Sequence, residues 1–419
     1  MAKYKAPRGT QDILPNETPR WQYIESKLRE ICALYDFREV RTPTFEETEL
    51  FSKQTGETTD IVTKEMYTFT DRGGRSLTLR PEGTPAAARA YLEHNLGAEL
   101  PAVKLYYIGR IFRYERPQAG RYREHNQFGV EMYGSADPSA DAEVIGLAWQ
   151  LMESLGIKDL ELKLNSLGGP EDRPVYREAL RTHVEPFLSE LCPTCQTRYD
   201  QNPLRMLDCK VPMCQELLKS APGPSDYLCD DCRNHFETLQ RYLTALGVKF
   251  TVDSRLVRGL DYYTRTVFEF QSPHLGAQNT ICGGGRYDNM VEEMGGPPTP
   301  ALGFGMGIER LLLTISQLGI ELPVDSHPLV FVAVMGNQAR EVAVKTISEL
   351  RKNKIAAETD YTGKSLKSQM KLADKLGVKY TLMIGEDEIA QGIVTLRNMQ
   401  TKDQRQVPLD QIVEAITNE

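Results

Sequence analysis

Residues 106–131 run YYIGRIFRYERPQAGRYREHNQFGVE, and this stretch decides the fold. Two strand-like runs flank a loop rich in arginine, a pattern that predicts an antiparallel hairpin. Because side chains alternate along a strand, Arg113 and Glu115 share one face, as do, on the return strand, Gln127, Gly129 and Glu131. If the two faces coincide, they form a polar floor for a ligand. The alternative is a solvated, charged hairpin.

Three later segments add residues of the same kind. Residues 258–263, RGLDYY, present a cation and two hydroxyls just before a predicted strand. Residues 283–288, GGGRYD, begin with a glycine triplet that indicates either a flexible turn or close approach of the backbone to a ligand. In residues 301–310, ALGFGMGIER, glycines alternate along a strand that runs into a helix predicted for Ile308 to Gln317. The small residues make a flat surface for a planar ring, and the helix start favours a phosphate.

The rest of the first 320 residues predicts the surroundings of these segments. A long amphipathic helix begins at Thr18-Pro19, and a strand from Phe37 is stopped by Pro43 at a sheet edge. From Leu77 to Glu131 the pattern alternates short strands with loops, and strands return in residues 252–270 and 301–306. These pieces predict one mostly antiparallel sheet.

Changes of pattern predict the domain boundaries. Residues 169–250 are helical, with cysteines and Pro/Gly punctuation, which indicates an insertion. A linker at residues 321–328 precedes strands that alternate with helices, which predicts a small α/β domain. We therefore expect a catalytic domain in two parts, residues 1–168 and 251–322, a helical insertion at 169–250, and a C-terminal domain at 328–419.

Composition narrows the class of protein. The chain has 419 residues, of which 40% are hydrophobic and 26% charged, and no apolar run approaches the roughly 20 residues of a membrane helix. The N-terminus has no secretory pattern, so we expect a cytoplasmic protein. The formal charge of −8 argues against a chain that coats nucleic acid, so RNA contact is expected to be local.

Together these segments resemble the class II aminoacyl-tRNA synthetases, and specifically the bacterial histidyl-tRNA synthetases. Residues 112–115 resemble the second motif of the class, residues 305–310 the third, and the helix before Pro43 the weaker first. Residues 258–263 and 284–288 resemble stretches specific to the histidine enzyme, as do 8–15, RGTQDILP, and 79–84, LRPEGT. The resemblance implies an α+β catalytic domain with a mostly antiparallel sheet, a helical insertion, and a C-terminal α/β anticodon-binding domain.

The implied activity is that of a histidine--tRNA ligase. The histidine carboxylate attacks the α-phosphate of ATP, with Mg²⁺ bridging the outer phosphates, and the histidyl group then passes to the terminal ribose of tRNA(His). AMP and diphosphate are released. Arg113 and Arg258 would hold the carboxylate and the α-phosphate from two sides and stabilise the charge of the transition state. The resemblance also implies a homodimer formed through the first motif.

It implies the other site residues as well. Besides Arg113 and Arg258, the ATP site would include Glu115, which accepts from the adenine amino group, and two phosphate contacts, Arg121 and Arg310. Histidine would contact Glu82, Gly83, Thr84, Gln127, Glu131, Tyr262, Tyr263 and Tyr287. The family often has Glu-Phe-His-Gln where this chain has residues 124–127, EHNQ. The ring that stacks on adenine is therefore His125 or Phe128.

The second helix of the C-terminal domain carries a basic stripe of Lys364, Lys367, Lys371 and Lys375. The opposite face is apolar, with Leu366, Met370, Ala373 and Leu376. Such a stripe is commonly a solvated face. In an acidic chain we expect it to contact the phosphates of tRNA.

Six of the eight cysteines lie in the insertion, with CxxC units at Cys192/Cys195 and Cys229/Cys232 and two more cysteines, Cys209 and Cys214, between them. Paired CxxC units indicate a structural Zn²⁺ site, and the alternative is two packed pairs of free thiols. Cys32 and Cys282 are expected to be buried as small apolar residues.

Two other functions fit parts of the sequence. A regulatory paralogue that binds ATP phosphoribosyltransferase shares the fold, but typically lacks intact ATP motifs and the C-terminal domain. An RNA-binding module without ligase activity explains the lysine stripe, but not Arg113 and Arg258. Histidine-dependent exchange of pyrophosphate into ATP separates all three.

Overall fold

A computed structural model describes residues 3–57, 59–275, 279–324 and 327–418. The chain divides into two compact units, Met1–Leu322 and Pro323–Glu419. The predicted linker spans this division, and its residues Asp325 and Ser326 lie outside the described ranges. The insertion belongs to the first unit, so its status as a separate domain stays a prediction.

The first unit is built on a mostly antiparallel sheet, which confirms the predicted fold class. Its strands are β1 (Arg38–Glu39), β2 (Phe45–Glu47), β3 (Tyr67–Thr70), β4 (Ser76–Leu79), β5 (Val103–Phe112), β6 (Glu124–Tyr133), β7 (Glu161–Ser166), β8 (Thr251–Val252), β9 (Thr264–Gln271), β10 (Thr280–Arg286) and β11 (Ala301–Gly307). In the described residues the main sheet has the order β1-β5-β6-β11-β10-β9-β7-β8, and only its two outermost pairs are parallel. The strands β2, β4 and β3 form a small separate sheet.

The described residues of the first unit form ten α-helices, four of which cover one face of the main sheet. They are α1 (Thr18–Leu34), α2 (Thr48–Thr55), α3 (Thr84–Glu93), α4 (Pro138–Ser154), α5 (Asp172–Val184), α6 (Pro193–Gln201), α7 (Pro212–Leu217), α8 (Asp230–Ala245), α9 (Met290–Glu293) and α10 (Ile308–Gln317). α1, α4, α8 and α10 bury their apolar stripes against the sheet, with Leu28, Phe128 and Phe304 fully or almost fully buried in one cluster. The opposite face of the sheet is thereby left for the site.

Most predicted elements are confirmed, and one prediction is wrong. α1 begins at Thr18, so Pro19 lies in the first turn, where its missing N–H costs no hydrogen bond. α10 has the predicted bounds. Residues 77–131, predicted as strands and loops, contain α3, because Thr84-Pro85 starts a helix and three buried alanines, 86–88, continue it.

The insertion has a small core of its own. Tyr176, Leu180 and Val184 of α5 pack with Leu204 and Met206, which both lie in a short 3-10 turn. Residues 202–229 contain one short α-helix, α7, and three 3-10 turns, joined by irregular segments. Its cysteines contribute to this core.

The second unit is the predicted α/β domain. Its elements are β12 (Val330–Val334), α11 (Asn337–Lys352), β13 (Ala357–Thr359), α12 (Leu366–Lys375), β14 (Tyr380–Ile384), α13 (Glu386–Gln391), β15 (Ile393–Asn398), β16 (Gln404–Pro408) and α14 (Ile412–Thr417). The sheet order is β13-β12-β14-β15-β16, with β12 parallel to both of its neighbours. Among the described residues of the whole chain, the helices are too short or too polar to cross a bilayer.

Candidate active site

The floor of the site is a row of residues that oppose one another across five strands. Tyr107 of β5 faces Gly129 of β6, which faces Gly305 of β11; Gly305 faces Gly283 of β10, which faces Glu269 of β9. Directly opposed residues project from the same face of a sheet. The predicted face of the return strand, with Gln127, Gly129 and Glu131, therefore lies in this floor, where three glycines separate two polar side chains. Arg113 and Glu115 are not part of a strand face, because β5 ends at Phe112, and they line the site from the loop that follows.

These glycines leave room that functional side chains occupy. A Cβ added at Gly129 would lie 2.1 Å from Cζ of Tyr107, and one added at Gly283 would lie 2.5 Å from Nη1 of Arg258. At Gly303, one row further along β11, a Cβ would lie 2.0 Å from Oε2 of Glu131. The glycine triplet is therefore part of a strand that keeps the floor open, and the flexible-turn alternative is wrong.

A cavity of about 960 Å³ lies above this floor. Three arginines from distant parts of the chain line it, namely Arg113 after β5, Arg258 before β9 and Arg310 in α10. Arg113 Nε donates to the carbonyl of Pro81 at 2.7 Å, and Arg310 Nη1 donates to the carbonyl of Thr280 at 2.6 Å. The backbone thus positions two of the three guanidinium groups.

Arg258 is held by a carboxylate instead. Its guanidinium forms an ion pair with Glu269, which also accepts hydrogen bonds from Thr280 and Gln271. Burial alone would lower the pKa of Arg258. The negative charge and the hydrogen bond of Glu269 act against burial, so the pKa is raised and the guanidinium stays positively charged.

Arg113 and Arg258 converge on one buried carboxylate. Burial raises the pKa of Glu82, and both guanidinium groups act on it in the opposite direction. Glu82 also accepts hydrogen bonds from Thr55 Oγ1 at 2.5 Å and from Tyr262 Oη at 2.9 Å. Two cations from residues 145 positions apart are therefore within electrostatic reach of the same group.

A second buried carboxylate is surrounded by hydroxyl groups. Glu131 accepts hydrogen bonds from Thr84 Oγ1 at 2.7 Å, from Tyr107 Oη at 3.4 Å and from Tyr287 Oη. Burial raises its pKa to about 8, although these hydroxyls lower it. The group is therefore poised to change its ionisation when a ligand supplies a further donor.

The structure brings the predicted site residues together. The cavity is lined by Arg113, Glu115, Arg121, Arg258 and Arg310. Beside it, hydrogen bonds and ring contacts connect Glu82, Thr84, Gln127, Glu131, Tyr262, Tyr263 and Tyr287. Gly83 precedes α3, where a Cβ would meet the ring of Tyr107 at 2.2 Å. The roles of these residues stay predictions.

The structure places His125 and Phe128 on opposite faces of β6. His125 lines the cavity, whereas Phe128 lies on the opposite face of β6, fully buried in the core against Phe304. The Phe128 alternative for stacking on adenine is therefore wrong. Burial, together with the neighbouring Arg113 and Arg310, lowers the pKa of His125 to about 3, so its ring is neutral.

Some residues of the site were missed by the sequence analysis. Tyr107 bonds to both Gln127 and Glu131, and its register opposite Gly129 would have revealed it. Thr55 and Glu269, the partners of Glu82 and Arg258, are separated from them in sequence and carry no motif that would identify them.

The lysine stripe is exposed in the second unit. Lys364, Lys367, Lys371 and Lys375 are all exposed, and Ala373 on the opposite face of α12 is buried. One detail differs, because α12 begins at Leu366, so Lys364 precedes the helix. Its N–H is instead donated to Asp360 Oδ2 at 2.7 Å in a turn.

The prediction that the two CxxC units form one metal site together is wrong. Cys192 and Cys195 meet Cys209 and Cys214, whereas Cys229 and Cys232 lie in a separate group with Asp172. Cys32 and Cys282 are fully buried, as expected.

The architecture is that of a class II aminoacyl-tRNA synthetase. It combines an antiparallel sheet with a glycine floor, arginines from the second and third motifs, and a separate α/β unit. The sequence profile described as "Histidyl-tRNA synthetase" matches residues 9–311, and the one described as "Anticodon binding domain" matches residues 329–419. By the extent of that match, the chain belongs to the histidyl-tRNA synthetase family.

Individual relatives agree over nearly the whole chain. A protein of Caldanaerobacter subterraneus subsp. tengcongensis named "Histidine--tRNA ligase" is 53% identical, over 99% of both chains. The crystal structure of apo S. aureus histidyl-tRNA synthetase matches with a TM-score of 0.85 and 42% identity, over 99% of both chains. A structure from Bacillus halodurans titled as an ATP phosphoribosyltransferase regulatory subunit/histidyl-tRNA synthetase has a TM-score of 0.67 at 22% identity, covers 92% of this chain and 99% of that one, and shows the fold alone.

Proposed function

We propose that this chain is an ATP-dependent ligase that activates L-histidine as histidyl-adenylate and transfers it to the 3′ end of tRNA(His). The observation that carries the proposal is the convergence of Arg113 and Arg258 beside the Glu131 pocket on one sheet face. Relatives named histidine--tRNA ligase, matched over both units, support the ligase over the regulatory alternative.

The first step joins two anions. A carboxylate oxygen of histidine attacks the α-phosphorus of ATP, the bond to the bridging oxygen breaks, and diphosphate leaves. Arg113 and Arg258 offset the repulsion between the reactants and stabilise the charge that develops on phosphorus. Arg258 keeps its orientation through Glu269, so it acts without prior rearrangement. In the second step a ribose hydroxyl attacks the acyl carbon, and AMP leaves.

Glu131 recognises the imidazole ring. A neutral imidazole has one N–H donor, and a carboxylate fixed by Thr84, Tyr107 and Tyr287 offers it an acceptor. An amino acid with an apolar side chain leaves Glu131 without this partner, which is costly in a fully buried site. Glu82, with Tyr262, would receive the ammonium group.

ATP binding requires Arg121 to change its ionic partner. Arg121 Nε lies 2.5 Å from Glu115 Oε2, although the proposal assigns Arg121 to an outer phosphate and Glu115 to the adenine amino group. Phosphate therefore replaces Glu115 as the partner of Arg121 when ATP enters. Mg²⁺ would enter as its complex with ATP, held by oxygens of the outer phosphates. His125 stacks on adenine.

Three further proposals concern partners and location. The lysine stripe contacts the backbone of tRNA. The chain forms a homodimer through the first motif, and the exposed pair of Phe45 and Phe69, with ring centroids 6.1 Å apart, supplies apolar surface in the small sheet that begins two residues after Pro43. The protein works in the cytoplasm, a reducing compartment that suits eight free cysteines. Light scattering of the wild type and of Phe45→Ser tests the dimer.

The deciding experiment measures exchange of labelled pyrophosphate into ATP with each amino acid in turn, followed by charging of total tRNA. Histidine alone should support both reactions. Arg113→Ala should abolish exchange, whereas Arg110→Ala, on the exposed edge of the same hairpin and paired with Glu124, should not. A preference for another amino acid would refute the assignment of Glu131 to recognition of the imidazole ring. RNA binding without exchange would indicate the non-catalytic module instead.

A further inference from the structure

Four cysteines of the insertion come together in space, and we call them the four-cysteine cluster: Cys192, Cys195, Cys209 and Cys214. Cys192 caps the N-terminus of α6, Cys195 lies in its first turn, Cys209 lies in a turn and Cys214 in α7. Their sulfur atoms all lie within 4.8 Å of one another. Cys195 and Cys214 are fully buried, and Cys209 is nearly so.

The spacing of the sulfur atoms fits one shared metal ion. Zn²⁺ binds thiolates at about 2.3 Å, and the edge of a tetrahedron is about 1.63 times that distance, so sulfurs that share the ion lie about 3.8 Å apart. Cys192 Sγ and Cys209 Sγ are 3.8 Å apart. A disulfide requires about 2.05 Å, which the pair does not approach.

A hydrogen bond also points to a thiolate in the cluster. The backbone N–H of Cys192 donates to Cys214 Sγ, with an N to S distance of 3.2 Å. Donors of this kind stabilise the negative charge on a metal-bound sulfur and orient it. The surroundings are otherwise apolar, with Leu191, Met206 and Leu218 in the same core, so several thiolates here need a cation.

We propose that the four-cysteine cluster binds one structural Zn²⁺ ion. Soft thiolate ligands in a tetrahedron select zinc, and four protein ligands leave no open position for water or substrate. The ion therefore takes no part in the transfer of histidine. The inference does not rest on the proposed function, because it needs only the positions of the sulfur atoms.

The ion would fix one wall of the ATP cavity. Cys209 itself lines that cavity, as do its neighbours Asp208 and Lys210. Residues 207–211, which carry Cys209, form neither helix nor strand, so a metal cross-link would hold this stretch between a 3-10 turn and α7. Loss of zinc should therefore loosen this wall and raise the KM for ATP.

The second pair of thiols provides a matched control. Cys229 and Cys232 have the same CxxC spacing in the same insertion, but their only acidic or thiol companion in the described residues is Asp172. Both oxygens of Asp172 are already used, because they accept N–H groups of Cys229 and Gly169, each at 2.8 Å. In the described residues this group offers three candidate metal ligands, two thiols and one carboxylate, and lacks the fourth ligand of a structural zinc site.

The test measures metal content of the full-length protein, expressed without a histidine tag and purified without chelators, by mass spectrometry. We expect about one Zn²⁺ per chain in the wild type and in Cys229→Ser/Cys232→Ser, and almost none in Cys192→Ser/Cys195→Ser. Metal-free wild type, iron in place of zinc, or loss of zinc only from the control variant would overturn the proposal.

A measurement on the wild type guards against misfolding of the variant. Co²⁺ exchanged into the protein should give the intense visible absorption of a tetrahedral tetrathiolate site, and one equivalent of Zn²⁺ should abolish it. Weak, octahedral absorption would refute the site. The KM for ATP should rise several-fold when zinc is removed and return when it is restored, and failure of histidine-dependent exchange in zinc-loaded protein would count against the proposed function alone.

Discussion

Replacing Glu131 by glutamine should weaken histidine recognition and at the same time stabilise the protein at high pH. Glu131 is fully buried, and burial raises the pKa of its carboxyl group from the ordinary 4.5 to about 8. The native state therefore holds a proton that the unfolded chain has lost throughout this interval. Stability contributed by the protonated form is complete below pH 4.5 and declines as pH rises towards 8.

The shift sets the magnitude of the effect. A difference of about 3.5 pKa units, at about 1.36 kcal/mol each, amounts to roughly 5 kcal/mol as an upper bound. Glutamine has nearly the same shape and no charge, and Thr84 and Tyr287 can bond to its amide. The stability of Glu131→Gln relative to the wild type should thus increase by up to about 1.4 kcal/mol per pH unit within the interval.

Tryptophan fluorescence during urea unfolding measures this difference, because both tryptophans, Trp21 and Trp149, lie in the first unit. Midpoints are compared at several pH values from 5 to about 8.5. In parallel, kcat/KM for histidine in pyrophosphate exchange should fall about 10- to 100-fold, the cost of one hydrogen bond to a charged group, with the KM for ATP unchanged. A pH-independent difference, or a variant less stable than the wild type at pH 8, would refute the reasoning.

Three further predictions test other parts of the site. Arg258→Lys keeps the charge but loses the fork that reaches both Glu269 and substrate, so single-turnover adenylate formation should slow about 100-fold, with a histidine Kd within a few-fold of wild type; an equal loss in Kd would contradict it. His125→Ala should raise the KM for ATP several-fold, and His125→Phe should not, because a ring already neutral, with a pKa of about 3, acts by stacking alone; a pH-dependent KM between 5 and 8 traced to His125 would count against this. Lys367→Ala/Lys371→Ala should raise the KM for tRNA about 10-fold and flatten its salt dependence, while leaving pyrophosphate exchange as it was; an unchanged salt dependence of the KM would exclude phosphate contact.

The sequence was sufficient for elements whose signals are local. The glycine alternation of β11 running into α10, and the proline in the first turn of α1, specify backbone conformation within a few residues. The prediction failed at α3, although Pro85 in its first turn and the alanines at 86–88 favour a helix. The signal for this helix was therefore local and readable from the sequence.

Contacts between distant segments were harder to predict. Residue spacing identified two CxxC units, but which thiols meet depends on how the helices of the insertion pack, and spacing carries no information on that. The choice between His125 and Phe128, which the sequence analysis left open, is in contrast one that strand alternation could have settled. His125 has the same parity as Gln127 and Gly129, which lie on the site face, and Phe128 does not.

The glycine floor also limits how this protein can be redesigned. At Gly129, Gly283 and Gly303, a methyl group would collide with Tyr107, Arg258 or Glu131, so these three positions cannot carry a side chain that alters substrate choice. New specificity has to come from the walls, where Thr84 and Tyr287 stand on other elements. Libraries directed at those wall positions should yield folded variants, whereas libraries on the central strands should yield mostly inactive ones.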